Sequence, residues 1–299
     1  MTVRSYQTPI AFKTALEQRL KQAPDGGADL NRRRQLLVFD RFLARVTQAM
    51  GDAVILKGGL VLELRLERAR TTKDIDLRMS GSSDEILEAL QQAGQLDLGD
   101  YMTFLVQPDA YLPEITGDGI IYEGYRFKAE CRLGGKVYGQ AFGVDAAFGD
   151  PLVGEPDTIQ VEDKLAFAGI SPPTLKLYPL ASHIAEKLHA YTMPRDRPNS
   201  RVKDLPDIAL LAGAGDIDPA KLREALKQTF QRRDTHELPT SLPKPSPDWE
   251  RPYAAMAERD SLPWTTLAEV SEAASAFLDQ ILGGETVGTW DAESWSWTP

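Results

Sequence analysis

Apolar and polar positions follow two rhythms along the chain. Residues 9–23 and 30–50 repeat at about 3.6 residues and predict amphipathic helices. The second run, LNRRRQLLVFDRFLARVTQAM, carries Leu36, Leu37, Phe39, Phe42, Leu43 and Val46 at that spacing. AVILK (53–57) is short, almost wholly apolar and bounded by Gly51 and Gly58, which predicts a buried strand. Gly58-Gly59 predicts a turn, LVLELRLERA a helix, and the alternating DIDLRM the next strand. SSDEILEALQQAG opens on a serine cap with acidic first-turn residues and stops at Gly94, so it predicts a helix. Residues 101–107, 120–133 and 136–148 predict strands joined by Gly-rich turns, with RLGGKVYG as a hairpin.

Near residue 155 the rhythm changes. PLASHIAEKLHAYTM, VKDLPDIALLAG, PAKLREALKQTFQRR and TTLAEVSEAASAFLDQIL predict helices, and the Pro-rich LPTSLPKPSPDWERP predicts a loop between them. The tail GTWDAESWSWTP holds three of the five tryptophans, which favours packing back onto the body over an interface. This order predicts an α/β (α+β), two-lobed fold. A domain with a mixed sheet spans residues 1–155, and a mainly helical domain over 156–299 closes a cleft.

Composition adds limits. The apolar and charged shares, 42% and 26%, are ordinary for a globular chain of 299 residues. No apolar run approaches the roughly 20 residues a membrane-spanning helix needs. The first residues lack the apolar core and cleavage site of a signal peptide, and Cys131, the only cysteine, cannot form an intrachain disulfide. A cytoplasmic protein is therefore expected. A net charge of −10 argues against non-specific nucleic-acid binding as the main task. Nucleic acid would have to use a local basic cluster: Arg32–Arg34, the group Arg195, Arg197, Arg201 and Lys203, or Arg232-Arg233. For the middle cluster an RNA track and a solvated loop are equally open.

The chemistry concentrates in LKGGLVLELRLERARTTKDIDLRM (56–79). Asp74 and Asp76 are two apart on a predicted strand, so both face one side. Two bare carboxylates so close are costly to bury, and hard oxygen donors suit Mg²⁺. Gly58-Gly59 lets backbone N–H groups approach a phosphate, and the helix behind them offers its N-terminus to the same anion. Lys57 and the RARTTK segment add positive charge and hydroxyls. A polyphosphate carrying Mg²⁺ would use all of these groups. Asp145, alone in the apolar FGVDAAF, is the candidate third carboxylate of a two-metal site. An Asp-x-Asp pattern is weak alone: Asp216-Ile217-Asp218 precedes Pro219 and reads as a helix cap.

LKGGLVLELR…RTTKDIDL resembles the Gly-Gly…Asp-x-Asp signature of the DNA polymerase β-like nucleotidyltransferase superfamily. Within it the pattern is most similar to AbiEii-type toxins of type IV toxin–antitoxin and abortive-infection systems, which include mycobacterial toxins that add nucleotides to tRNA 3′ ends. YPLASHIAEKLHAYTMPRDRPNSRVKDLPDIALL resembles the later motifs of that family: an EKL-x-A helix, an Arg-rich loop and R-x-x-D-L-x-D. The resemblance covers residues 53–79 and 178–211. It implies that Asp74 and Asp76 are metal ligands and that Lys57, Gly58, Gly59 and Thr72 hold the triphosphate. It also implies that Lys187 contacts phosphate from the second lobe and that Asp204 is a polar active-site residue. From the residues alone, the favoured reading of Lys187 is a solvated helix position and that of Asp204 a helix N-cap. Many family members carry Ser or Thr after the two glycines. Leu60 stands there in this chain, leaving Thr71 or Thr72 as substitutes. His183 and His189 lack zinc-spaced partners and read as packing or surface residues.

The activity implied is transfer of a nucleoside monophosphate from an NTP, with Mg²⁺ (two ions), to a tRNA 3′ end, blocking aminoacylation and translation. A cognate antitoxin is the implied partner. The rivals are a small-molecule or protein acceptor, and an NTP-binding module without turnover.

Overall fold

The computed structural model describes residues 5–22, 30–66, 72–111, 114–117, 120–195, 201–285 and 288–298. Arg68, Arg70, Thr71 and Arg197 lie outside the described residues.

The two opening runs form α1 (Pro9–Gln22) and α2 (Leu30–Met50). The apolar stripe of α2 is buried against α4 and β9, and its Arg41 and Arg45 reach a buried Asp100 at 2.7 and 2.6 Å. Then come β1 (Ile55–Lys57), α3 (Gly58–Arg65), β2 (Ile75–Arg78), α4 (Ser83–Gly94) and β3 (Met102–Pro108). They are followed by β4 (Glu114–Gly117), β5 (Ile120–Leu133), β6 (Lys136–Val137), β7 (Phe142–Ala147), β8 (Asp157–Gln160) and β9 (Thr174–Leu177). These strands make one mixed sheet in the order β3-β5-β7-β2-β1-β9-β8, with β4 and β6 paired to β5. β2 runs parallel to β7 and antiparallel to β1, and β1 runs parallel to β9. After β9 the chain forms α5 (Leu180–Thr192), α6 (Asp204–Ala212), α7 (Pro219–Arg233), α8 (Glu250–Asp260) and α9 (Leu267–Leu282). It ends in the hairpin β10 (Trp290–Asp291) and β11 (Ser296–Trp297). The α/β architecture with a mixed sheet is thus the one the periodicities predict.

Four local expectations change. Gly58-Gly59 is the first turn of α3 rather than a separate turn. The run 136–148 divides into β6 and β7, because Gly139 takes a positive φ of 74° between them. The sheet continues past residue 155 through β8 and β9, short strands whose mostly exposed β8 gives no apolar alternation. α8 emerges from the end of the Pro-rich segment, after Ser246 caps a short 3₁₀ turn carrying Pro247. The cap expected at Asp218 is present: its carboxylate accepts from Ala220 N at 2.8 Å.

Buried apolar side chains fall into two clusters. One lies between the sheet and α1, α2 and α4. The other gathers α5–α9 and the final hairpin. α3 joins them, since Leu60 and Val61 belong to the first cluster and Leu62 to the second. The tryptophan-rich tail packs inward: Trp290 Nε1 donates to Ala212 O and Trp297 Nε1 to Phe277 O, both at 2.8 Å. No described helix is long and apolar enough to cross a membrane.

Candidate active site

The sheet register builds the site. Lys57 on β1 lies opposite Asp76 on β2. Asp76 lies opposite Asp145 on β7, and Asp145 opposite Arg126 on β5. Residues opposite one another across strands share a face. Four neighbouring strands thus carry one row of charges, Arg126–Asp145–Asp76–Lys57, and Asp74 joins it two residues before Asp76. The spacing predicts both aspartates on one strand, but Asp74 lies in a bend just before β2 and only Asp76 is on it; the register adds Asp145 beside Asp76.

The backbone makes room for these carboxylates. Gly58 has a φ of +69°, and a Cβ there would collide with the carboxylate of Asp76. Only glycine fits, so Asp76 sits against the N-terminus of α3. Gly143, beside Asp74, has the same effect: a Cβ would lie 2.7 Å from Asp74 Oδ1. Its backbone N–H instead donates to that oxygen at 3.2 Å. Asp74 is exposed and Asp76 half-buried. Burial, then the neighbouring Asp145 carboxylate, push Asp76 up to about 6; Lys57 and Lys187 pull the other way. Negative charge is in excess here.

Thr72 is buried, and its hydroxyl donates to Asp74 O at 3.3 Å. Its single proton orients the strand that bears the carboxylates. Arg32 braces the same segment, donating to Thr72 O at 2.7 Å while pairing with Glu63 of α3. Lys57 is buried. Its ammonium pairs with Asp150 and, at 2.9 Å, with Glu186 of α5. Arg233, at the end of α7, reaches the same Asp150 at 2.8 Å.

Lys187 approaches from α5. Its ammonium lies 2.8 Å from Asp207 Oδ2 and 3.3 Å from Asp204 Oδ1, both carboxylates of the buried first turn of α6. Asp204 is therefore a buried partner of Lys187 and not the cap of its helix. The charge of Lys187 also acts on Asp76, lowering its pKa against the effect of burial. His183 and His189, on the same helix, are both buried. Burial, then Lys187, hold His183 neutral; His189 bonds Thr235 at 2.8 Å. Sequence reasoning missed Arg126, Asp150, Glu186, Asp207 and Arg233 as site residues. Glu186 and Asp207 stand inside the motifs quoted above and Arg233 in the Arg232-Arg233 basic pair, whereas Arg126 and Asp150 give no signal in the linear pattern.

Asp74 and Asp76 offer hard oxygen donors where negative charge is unbalanced, and a divalent cation suits that pair. Asp145 does not complete a third ligand as it stands, because both its oxygens accept from Arg126 at 2.7 Å. Among the described residues no three His, Cys, Asp or Glu side chains form a finished metal site.

Residues 41–284 match the family described as nucleotidyl transferase AbiEii toxin, type IV TA system. Among solved structures, the nucleotidyltransferase toxin MenT4 of Mycobacterium tuberculosis superposes with a TM-score of 0.54 at 19% identity. That match covers 94% of this chain and 92% of MenT4 and shows a shared fold. JHP933 of Helicobacter pylori matches at a TM-score of 0.46 and 13% identity, over 84% of this chain and 92% of its own. No curated protein matches the chain by sequence.

Proposed function

The chain belongs to the AbiEii family of nucleotidyltransferase toxins, and from that premise we propose that it moves a nucleoside monophosphate from an NTP to the 3′ end of tRNA. Pyrophosphate leaves, the tRNA can no longer be aminoacylated, and translation stops. One observation carries the reading. Three neighbouring carboxylates, Asp74 just before β2, Asp76 on β2 and Asp145 on β7, include one, Asp76, within the field of Lys187, a lysine that a helix far along the chain delivers and two buried aspartates hold.

Asp74 and Asp76 would hold Mg²⁺, with Asp145 joining once released from Arg126. When bound, the metal lowers the pKa of the acceptor hydroxyl and offsets charge on the leaving phosphates. The rest falls to the protein. Asp76 is mostly ionised at neutral pH despite its raised pKa of about 6 and so keeps its charge for the cation. The first N–H groups of α3, at Gly58 and Gly59, face the carboxylate row and offer an anion site for the triphosphate. Lys187, clamped by Asp204 and Asp207, supplies positive charge where it develops on phosphate, already positioned before substrate arrives. Lys57 and Thr72 act through position: one ties β1 to α5, and the other fixes Asp74. The two-lobe division at 155/156 belongs to this proposal, with β8 and β9 joining the first lobe by pairing. So does a cognate antitoxin as the partner that holds the activity in check.

The test is to incubate the protein with total tRNA, Mg²⁺ and each α-labelled NTP, beside Asp76→Ala. Label on tRNA from one or two nucleotides, absent with the variant and without Mg²⁺, is expected. No label from any of the four overturns tRNA as acceptor and transfers the reading to a small-molecule or protein acceptor.

A further inference from the structure

The charge row has a cation at each end, and the two differ in their freedom to exchange partners. The Lys57 side chain is 8% exposed and lies among Asp150, Glu186 and the Tyr178 ring. The Arg126 side chain is 36% exposed, at the flank of the site. Arg126 binds Asp145 through two parallel bonds, Nε to Oδ1 and Nη2 to Oδ2, each 2.7 Å. This fork geometry suits a carboxylate and a phosphate equally. Asp145 first, then Asp74, and Asp109 after β3 act on the guanidinium. Asp145 itself faces Asp76 across β7 and β2.

We propose that Arg126 is the displaceable counter-ion of this site: it neutralises Asp145 until a nucleotide and its divalent cation bind, then yields Asp145 and turns its fork to the nucleotide's phosphates. The inference rests on the nucleotidyltransferase reading and adds a residue to it. Arg126 thereby holds the carboxylates apart from one another's repulsion in the empty protein. It also makes cation and nucleotide binding cooperative, because neither alone both frees Asp145 and gives the guanidinium a new anion. A planar bidentate donor is needed in both positions, so lysine substitutes poorly.

The experiment measures Mn²⁺ binding to the nucleotide-free protein by electron paramagnetic resonance. It compares wild type, Arg126→Ala, Arg126→Lys and the double variant Arg126→Ala/Asp145→Asn, with circular dichroism confirming the fold of each. Arg126→Ala should bind Mn²⁺ roughly tenfold more tightly, the scale on which groups beside a metal ligand tune affinity. Adding Asp145→Asn should abolish that gain. In the same variants the KM for NTP should rise more than kcat falls for Arg126→Ala, with Arg126→Lys recovering only part. Unchanged Mn²⁺ affinity in a folded Arg126→Ala protein overturns the assignment, even if transfer to tRNA is observed. An Asp145-dependent gain in a protein that labels no tRNA sustains it while refuting the acceptor.

Discussion

Two clusters of charge lie side by side in this molecule and obey different rules. In one, Lys57 and Arg233 face Asp150 and Glu186, two cations to two carboxylates, all nearly buried. In the other, Arg126 pairs with Asp145 alone, Lys57 and Lys187 act on Asp76 only through their fields, and all three carboxylates, Asp74, Asp76 and Asp145, are partly open to solvent. Burial pushes the Asp150 carboxyl up, but Lys57 and Arg233 outweigh it and hold the group below the usual carboxylate range. Asp76 is driven the opposite way by burial and by Asp145. The balanced cluster ties β1 and the loop after β7 to α5 and α7. The unbalanced one leaves negative charge in excess, as the proposed cation site requires. Charge imbalance at similar residue types separates the proposed binding site from a brace, although burial raises Glu186 within the brace as well.

The largest effect should come from unbalancing the brace. Asp150→Asn leaves Lys57 and Arg233 facing one carboxylate, and loss of a partner in a buried pair costs about 3–5 kcal/mol. Urea unfolding should show that loss, whereas Asp76→Asn, which relieves repulsion, should leave stability at pH 7 equal or higher. Equal destabilisation by both substitutions would erase the distinction between the clusters.

Acid should divide the molecule next. His189 is lowered from 6.5 to about 3 by burial and then by His236, and His183 is lowered in the same sense. A base whose folded pKa is depressed binds fewer protons folded than unfolded, so its stability contribution is lost as pH falls below about 6.5. Asp76 has the opposite sign. Its folded pKa of about 6 exceeds the ordinary 3.8, so its proton stabilises the fold as pH falls through 6. For His189 alone the loss between pH 7 and pH 5 should be about 2 kcal/mol, against a gain of about 1 kcal/mol from Asp76. Thermal melts across that range should flatten for His189→Gln and steepen for Asp76→Asn. Identical acid limbs in both variants would refute these assignments.

The smallest effect tests how firmly the open cluster is positioned. Thr72→Val removes the hydroxyl that donates to Asp74 O at 3.3 Å. A loss of about 1 kcal/mol in stability is expected, with a few-fold fall in turnover. An unchanged turnover would show that Asp74 is held by Gly143 N alone.

Much of the fold was legible because its long elements have clear periods. α2, α4, α7 and α9 each show an apolar stripe with caps or flanking polar residues, and local rules decide such segments. β8 and α8 were not legible, the first because it is exposed and four residues long, the second because its start is masked by prolines. The site divides the same way. Asp74 and Asp76 could be singled out from spacing alone, but Asp74 stands before β2 and is set by Gly143 of β7 rather than by alternation on the strand. Lys187 and Asp204 came from motif resemblance, and their actual relation, an ion pair between α5 and α6, needed the packed helices.

By itself the sequence determined which faces are apolar, where glycine stands beside the segment that bears the carboxylates, and that two aspartates lie two residues apart. These follow from backbone geometry over a few residues. Only the tertiary structure decided that Asp145 stands beside Asp76, that Arg126 occupies Asp145, and that Lys57 serves a buried brace. Strand order and register join segments distant in the chain, and the field at each carboxylate is the sum over whichever charges that joining brings near.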